Sequence, residues 1–210
     1  MANLIKRRAF LAGAPLALAA CRGGEAIWAP DEQLRGKIYK SDGPRSITLY
    51  SMINTGSGNG AHSSLLIDAS QTVMFDPAGS FKASVIPERN DVLFGISPRV
   101  EAFYISFHAR DSYFVEGHRI EVSPAVAEQA LRLVLSNGPE PKMACSLSSS
   151  RILKQLPGFE TINTTLFPTK LRDQFAALPG VSVKRYYEND ADDKTQAGKD
   201  IDAALSRQSQ

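Results

Sequence analysis

The sequence predicts one α+β domain in which a small antiparallel sheet packs against helices. Three observations predict it. Segments that alternate apolar and polar side chains, such as 46–53, 113–122 and 181–187, read as strands. Segments with apolar residues three and four apart, following Pro98, Pro124 and Pro168, read as amphipathic helices. No internal repeat or domain linker divides the chain, so one core over 46–187 accounts for it.

In order, the first strand sets Ile47, Leu49, Ser51 and Ile53 on one face and Thr48, Tyr50 and Met52 on the other. The glycine-rich stretch 54–61 lacks GxGxxG order and a following helix, so it does not read as a phosphate loop. His62 then opens a strand over 62–68. A turn at Asp68-Ala69-Ser70 leads into a second strand, 71–77, that Pro77 ends. Residues 78–90 read as loop with at most a short strand, and 92–96 as a short apolar strand.

After Pro98, the residues Val100, Phe103, Tyr104 and Phe107 share a helical face, and that helix ends near His108. The strand 113–122 follows. Ser123 and Pro124 are a cap and a first helical residue. The helix they start carries Val126, Ala130, Leu133 and Val134 and stops at Asn137-Gly138-Pro139. The next helix opens at Cys145, puts Ser149, Ile152 and Leu156 on the same face, and stops at Pro157-Gly158. A helix from Pro168 carries Leu171, Phe175 and Leu178, and the last strand is 181–187. The polar segment 188–210 reads as a disordered tail or a frayed helix.

Composition narrows the function classes. The apolar content, 43%, suffices for a sizeable core. A net charge of +2, with no Lys/Arg cluster along a helix face, argues against a nucleic-acid partner. No His/Cys/Asp/Glu group has metal-ligand spacing, so no metal is expected, and nothing points to a cofactor.

The N-terminus reads as an export signal over 1–20. Lys6, Arg7 and Arg8 precede an uncharged Ala/Leu-rich run, Ala9 to Ala20, too short to span a bilayer. Leu18-Ala19-Ala20-Cys21 resembles a bacterial lipobox, in which the cysteine is acylated and becomes the new N-terminus. Arg7-Arg8-Ala9-Phe10-Leu11 resembles a twin-arginine signal. These resemblances imply a bilayer partner through acylated Cys21, a tether over 21–45, and a place in the bacterial cell envelope. Arg22 after the cysteine, where an aspartate would be the retention signal, implies the periplasmic face of the outer membrane.

With Cys21 so used, Cys145 is a free thiol in an exported chain and asks for a reason. Its place in a first helical turn favours the thiolate, because unpaired N–H groups and the helix dipole stabilise an anion there. Small neighbours, Ala144, Ser146, Ser148 and Ser149, let that helix end approach another element. With a three-residue turn at 68–70, His62 lies directly opposite Asp76, where a carboxylate can hold the imidazole tautomer. Cys145, His62 and Asp76 are thus candidates for nucleophile, base and orienting residue. His108 reads as a helix-end residue and His118 as a solvent-facing one.

The order of these pieces resembles the circularly permuted branch of the NlpC-type papain-like superfamily. GAHSSLLID and MFDPAG supply the histidine strand and its neighbour, and MACSLSSSRILKQLPG supplies the cysteine helix much later. The resemblance implies a permuted papain-like fold and a Cys145–His62–Asp76 site acting on a peptide or acyl substrate. Hydrolysis of cell-wall amide bonds is the expected activity. Acyl transfer or lipid hydrolysis in the same fold, or a non-catalytic lipoprotein that binds a partner, are the alternatives.

Overall fold

The structure, a computed structural model, describes residues 24–207. Along the chain come α1 (Asp31–Leu34), β1 (Ser46–Asn54), β2 (Gly60–Asp68), β3 (Thr72–Phe75), β4 (Glu88–Arg89), β5 (Val92–Phe94) and α2 (Pro98–His108). There follow β6 (Tyr113–Glu121), α3 (Pro124–Ser136), α4 (Cys145–Leu153), α5 (Pro168–Ala176), β7 (Ser182–Tyr186) and α6 (Lys194–Ser206). The strands form one antiparallel sheet in the order β4-β5-β3-β2-β1-β6-β7.

The sheet is larger than expected because β4 folds back on β5. Their two-residue turn, Asn90-Asp91, has both residues in the left-handed region, the geometry that matches strand twist. β1 is central and buried over nearly its whole length. Successive side chains point to opposite faces. Ile47 and Leu49, with Leu65 and Ile67 of β2, pack beneath α3, α4 and α5. Tyr50 and Met52, with Leu66 and Met74, pack beneath α2 and α6.

Helix starts follow the sequence closely. The Ser97 and Ser123 hydroxyls accept from the Val100 and Val126 N–H groups, and Pro98 and Pro124 occupy the first turns. α4 does open at Cys145, but its regular helix ends at Leu153, and Leu156 is buried from the turn beyond.

Three expectations are corrected. Residues 24–45 are not a loose tether: the Ala29 N–H donates to Glu88 O at 2.9 Å, Arg89 Nε donates to Ala29 O at 2.7 Å, and the Thr72 N–H donates to Tyr39 O at 2.8 Å. The segment 188–210 is not wholly a disordered tail. Ala197, Ile201 and Leu205 form a buried stripe of α6 against α2, and burying an Ile or Leu contributes about 1.5–3 kcal/mol. His118 is not solvent-facing but 3% exposed, because β7 and α5 cover that stretch of β6. The signal segment 1–20 and Cys21 lie outside the described residues. Among the described residues no helix is long and apolar enough to cross a membrane.

Candidate active site

His62 is aimed by an irregularity in β2. Met52 pairs with His62 but Ile53 pairs with Gly60, which leaves Ala61 over as a bulge. His62 therefore shares the α2 face of the sheet with Met52. Asp76 follows the last residue of β3, and its N–H donates to Asp91 O at 2.8 Å.

The register between these strands differs from the one expected. The turn is Ala69–Gln71, the ladder runs from Asp68–Thr72 to Leu65–Phe75, and Asp76 comes level with Ser64 rather than His62. The cause is the turn itself: the Ala69 N–H donates to Gln71 O, so Asp68 stays in the strand. The displacement is two residues, and an even displacement keeps every side chain on its face. His62 and Asp76 therefore meet diagonally, with Nε2 2.6 Å from Oδ1.

Cys145 arrives from the other face. The β2–β3 ladder stops at Leu65, so the edge of β2 below it is open to α4. There the Cys145 thiol is close enough to the His62 imidazole and the Ser63 backbone N–H for both to favour its thiolate. Since Nε2 serves Asp76, Nδ1 is the ring nitrogen left for the thiol. The Ser63 and Ser146 hydroxyls lie 2.9 Å apart and pin the first turn of α4 to β2. Ser146 Oγ is 3.8 Å from Cys145 Sγ. Ser146, Ser148, Ser149 and Ser150 are all 0% exposed, so this helix sits close to what lies beneath it. No side chain caps α4, which leaves its first N–H groups to whatever anion forms at the thiol. Met143, just upstream, has a φ of 70°, a left-handed conformation uncommon for such a residue.

Charge follows from this packing. Burial opposes an imidazolium at His62, but the Asp76 carboxylate and its hydrogen bond outweigh burial and raise the ring to about 10. Burial likewise opposes the Asp76 carboxylate, and the charge of His62 outweighs it and holds Asp76 below its ordinary range. Burial pushes the Cys145 thiol up, while hydrogen bonding to His62 and its charge, with the Ser63 N–H and Ser146, bring it down to about 7. The three groups together favour a thiolate–imidazolium pair beside a carboxylate.

Two participants were not expected from sequence. The Tyr104 hydroxyl donates to Asp76 Oδ1 at 2.7 Å, and Ser64 Oγ lies 2.8 Å from the same hydroxyl. With its single proton on the carboxylate, Tyr104 receives that of Ser64. His108, 1% exposed, donates from Nδ1 to Tyr104 O at 2.8 Å, and its ring stacks on His62 with centroids 5.8 Å apart. Burial holds His108 neutral, down to about 3. Their spacing, one turn apart on α2, was the only legible signal that they belong together. His118 faces the opposite side of the sheet, opposite Leu49, and takes no part.

Comparison with protein families, curated proteins and solved structures finds no match for this chain. The site is therefore read from its own geometry. A cleft of about 350 Å³ opens beside it, with His62, His108, Gly79, Ser80, Tyr113 and Lys194 in its wall. Cys145 itself is 5% exposed and lies behind His62 rather than in that wall. A larger hollow of about 610 Å³ lies between residues 27–33, the 82–88 loop and α6, and holds neither thiol nor imidazole. What the arrangement can do chemically is deliver a pre-formed thiolate, a proton on its neighbour, and N–H groups for an oxyanion.

Proposed function

We propose that this chain is a lipid-anchored envelope cysteine hydrolase acting on amide bonds of cell-wall peptides. Cys145 is the nucleophile, His62 the acid–base group and Asp76 the orienting carboxylate. The observation that carries the reading is the thiol at a helix start beside an imidazole that favours its thiolate and whose Nε2 is 2.6 Å from a carboxylate oxygen. The order of base strand before nucleophile helix supports a permuted NlpC-type papain-like fold for the α+β domain. Acylated Cys21, carrying palmitate or a similar chain, tethers the domain at the periplasmic face of the outer membrane.

In this reading the Cys145 thiolate adds to the amide carbonyl carbon. The first-turn N–H groups of α4 hold the oxyanion. Imidazolium His62 gives its proton to the leaving amine as the C–N bond breaks, leaving a thioester on Cys145. His62, now neutral, takes a proton from water as the water oxygen adds to that carbonyl. The C–S bond breaks, releasing the acid and restoring the thiolate. Asp76 stays ionised throughout and stabilises the imidazolium.

The test has two readouts. Iodoacetamide should label Cys145 at neutral pH in the native protein and much more slowly in His62→Ala. Purified cell-wall sacculi should release new amino groups with the native protein and none with Cys145→Ala. A Cys145 that reacts no faster than a free thiol, and independently of His62, rejects the reading. Cys21→Ser should move the protein from the membrane to the soluble fraction, and retention at the membrane would reject the anchor.

A further inference from the structure

Gly24 ties the start of the described chain to the loop between α3 and α4. Its N–H donates to Pro139 O at 3.3 Å, and a Cβ on it would come 2.1 Å from Glu140 O, so the two backbones touch. That loop is itself held. The Glu140 N–H donates to Asp91 Oδ2 at 2.7 Å, and the Asn137 amide donates to Glu140 Oε1 at 2.9 Å. Asp91 also accepts from the Asp76 N–H, so this is the site end of the sheet. Cys21 precedes Gly24 by three residues, which span at most about 11 Å. An acyl group on Cys21 therefore joins the domain beside the loop that leads into α4.

Two strongly exposed apolar side chains flank this point. Met143 is 85% exposed and stands two residues before Cys145. It takes the third position of a turn that the Ala144 N–H closes on Pro141 O at 3.2 Å. Its φ of 70° is one that glycine ordinarily supplies there, so a long apolar side chain is held outward where the backbone disfavours it. Trp28 is 63% exposed. It pairs with Arg89, and Arg89 with Val92, and directly opposed residues share a face. Val92 packs beneath α3, α4 and α5, so Trp28 lies on the side of the sheet from which α4 delivers Cys145. The Asn90 N–H donates to Ile27 O at 2.9 Å, which sets Trp28 near the Asn90-Asp91 turn. One face of its ring rests on the Arg89 guanidinium, 4.5 Å from the centroid. Arg89 is itself paired with Asp31, and Glu140 and Asp91 are engaged with each other and Asn137.

We infer that the Met143 turn and the Trp28 ring form a bilayer-docking face around the point where the anchor joins the domain. The domain lies on the lipid surface with its site end down and does not swing from its tether. Tryptophan suits the headgroup level, and interfacial binding grows with the apolar area that is buried. With its charges paired, the face docks on zwitterionic lipid through apolar contact. The bilayer as occupant rests on the acylation of Cys21 proposed above, whereas the face itself can be measured with any lipid tether at that residue.

The chain from Cys21 contains every described residue, and with Cys145→Ala its one thiol is Cys21. Cys21 is coupled to a maleimide-bearing phospholipid in phosphatidylcholine vesicles. Trp28 is the single tryptophan, so its fluorescence reports on this face alone. Phosphatidylcholine brominated high on its acyl chains should quench it. Met143→Gly should lower that quenching by about half or more while thermal unfolding moves up, since the turn loses its left-handed side chain. Met143→Leu should keep the quenching. A Trp28 that brominated lipid leaves untouched, or quenching indifferent to Met143, overturns the docking face. A Trp28 untouched by lipid but shielded from acrylamide as the uncoupled protein is concentrated gives the face to a second copy of this chain instead. Mass spectrometry of the native N-terminal peptide tests the anchor separately. A Cys21 without acyl groups rejects that reading and leaves the face to stand on the coupled protein.

Discussion

The Tyr104 hydroxyl lies 2.7 Å from the same carboxylate oxygen of Asp76 that holds His62. The orienting residue is thus itself oriented, from a helix that supplies neither base nor nucleophile. Tyr104→Phe leaves Ser64 without its buried partner and Asp76 with His62 alone, which costs about 1–3 kcal/mol. Urea unfolding should register that loss, and alkylation of Cys145 at neutral pH should slow with it. Unchanged values in both would show that Tyr104 only fills space.

Asp76→Asn should act on the thiol through the imidazole. The Asp76 charge is what lifts His62 to about 10 against its burial, and the His62 imidazolium helps bring Cys145 down to about 7. An amide keeps the ring oriented but removes the charge, so the imidazolium is lost first and the thiol climbs back toward 9.0. The midpoint of the alkylation rate against pH should rise by about one pH unit or more, with a loss of about fivefold at pH 7. A midpoint that stays near 7 would mean that α4 alone sets the thiol.

His108 makes a separate prediction about acid. It is held neutral down to about 3, against 6.5 ordinarily. Below pH 6.5 the unfolded chain binds a proton that the folded one refuses, so stability falls as pH drops from 6.5 toward 3, by up to about 1.4 kcal/mol per pH unit. His62 is raised instead, so its contribution is whole below 6.5 and is lost as pH rises through about 10. Asp91, raised to about 6 by burial, opposes His108 between pH 6 and 4. The measurement is therefore the difference between proteins: His108→Gln should be destabilised less than the native chain on going from pH 6.5 to 4.5. Parallel pH curves would contradict a buried neutral His108.

Gly79 is where a single methyl group would break the site. A Cβ there would come 1.8 Å from Asp76 Oδ2 and 2.2 Å from its carboxyl carbon. Gly79→Ala should therefore turn the carboxylate off His62 and slow Cys145 alkylation at pH 7 to the level of Asp76→Ala. Thermal unfolding run alongside separates this from global loss of fold. Native reactivity in Gly79→Ala would show that the carboxylate can yield without consequence.

Much of this arrangement was legible because it depends on period and punctuation. Pro98, Pro124 and Pro168 each mark a helix start, and Cys145 opens its helix as its small neighbours suggest. The His62–Asp76 pairing survived a wrong turn because the error was even, and period two forgives even errors. Other features were hidden for physical reasons. Tyr104 reads as part of an aromatic core face and His108 as a helix-end residue, and nothing local says that Asp76 lies beneath them. α6 is polar enough to resemble a tail, and only Ala197, Ile201 and Leu205, four apart, signal a face. His118 depends on β7 and α5, which arrive fifty or more residues later, so its own strand could not reveal its burial.

The serine face of α4 has a consequence for tolerance to change. Leu and Ile side chains would hold a helix and a sheet apart by their bulk, whereas buried Ser146, hydroxyl to hydroxyl with Ser63 of β2, acts as a thin shim between them. The gap between sulfur and imidazole is thus set in part by the thickness of Ser146, whose hydroxyl also lies 3.8 Å from the sulfur. An added ethyl or isopropyl group on that face would lift the far end of a lever whose tip is the thiol. Misplacement of about 1 Å in a reacting pair can cost about a hundredfold in rate, so such a protein could stay folded while its thiol loses the imidazole's activation.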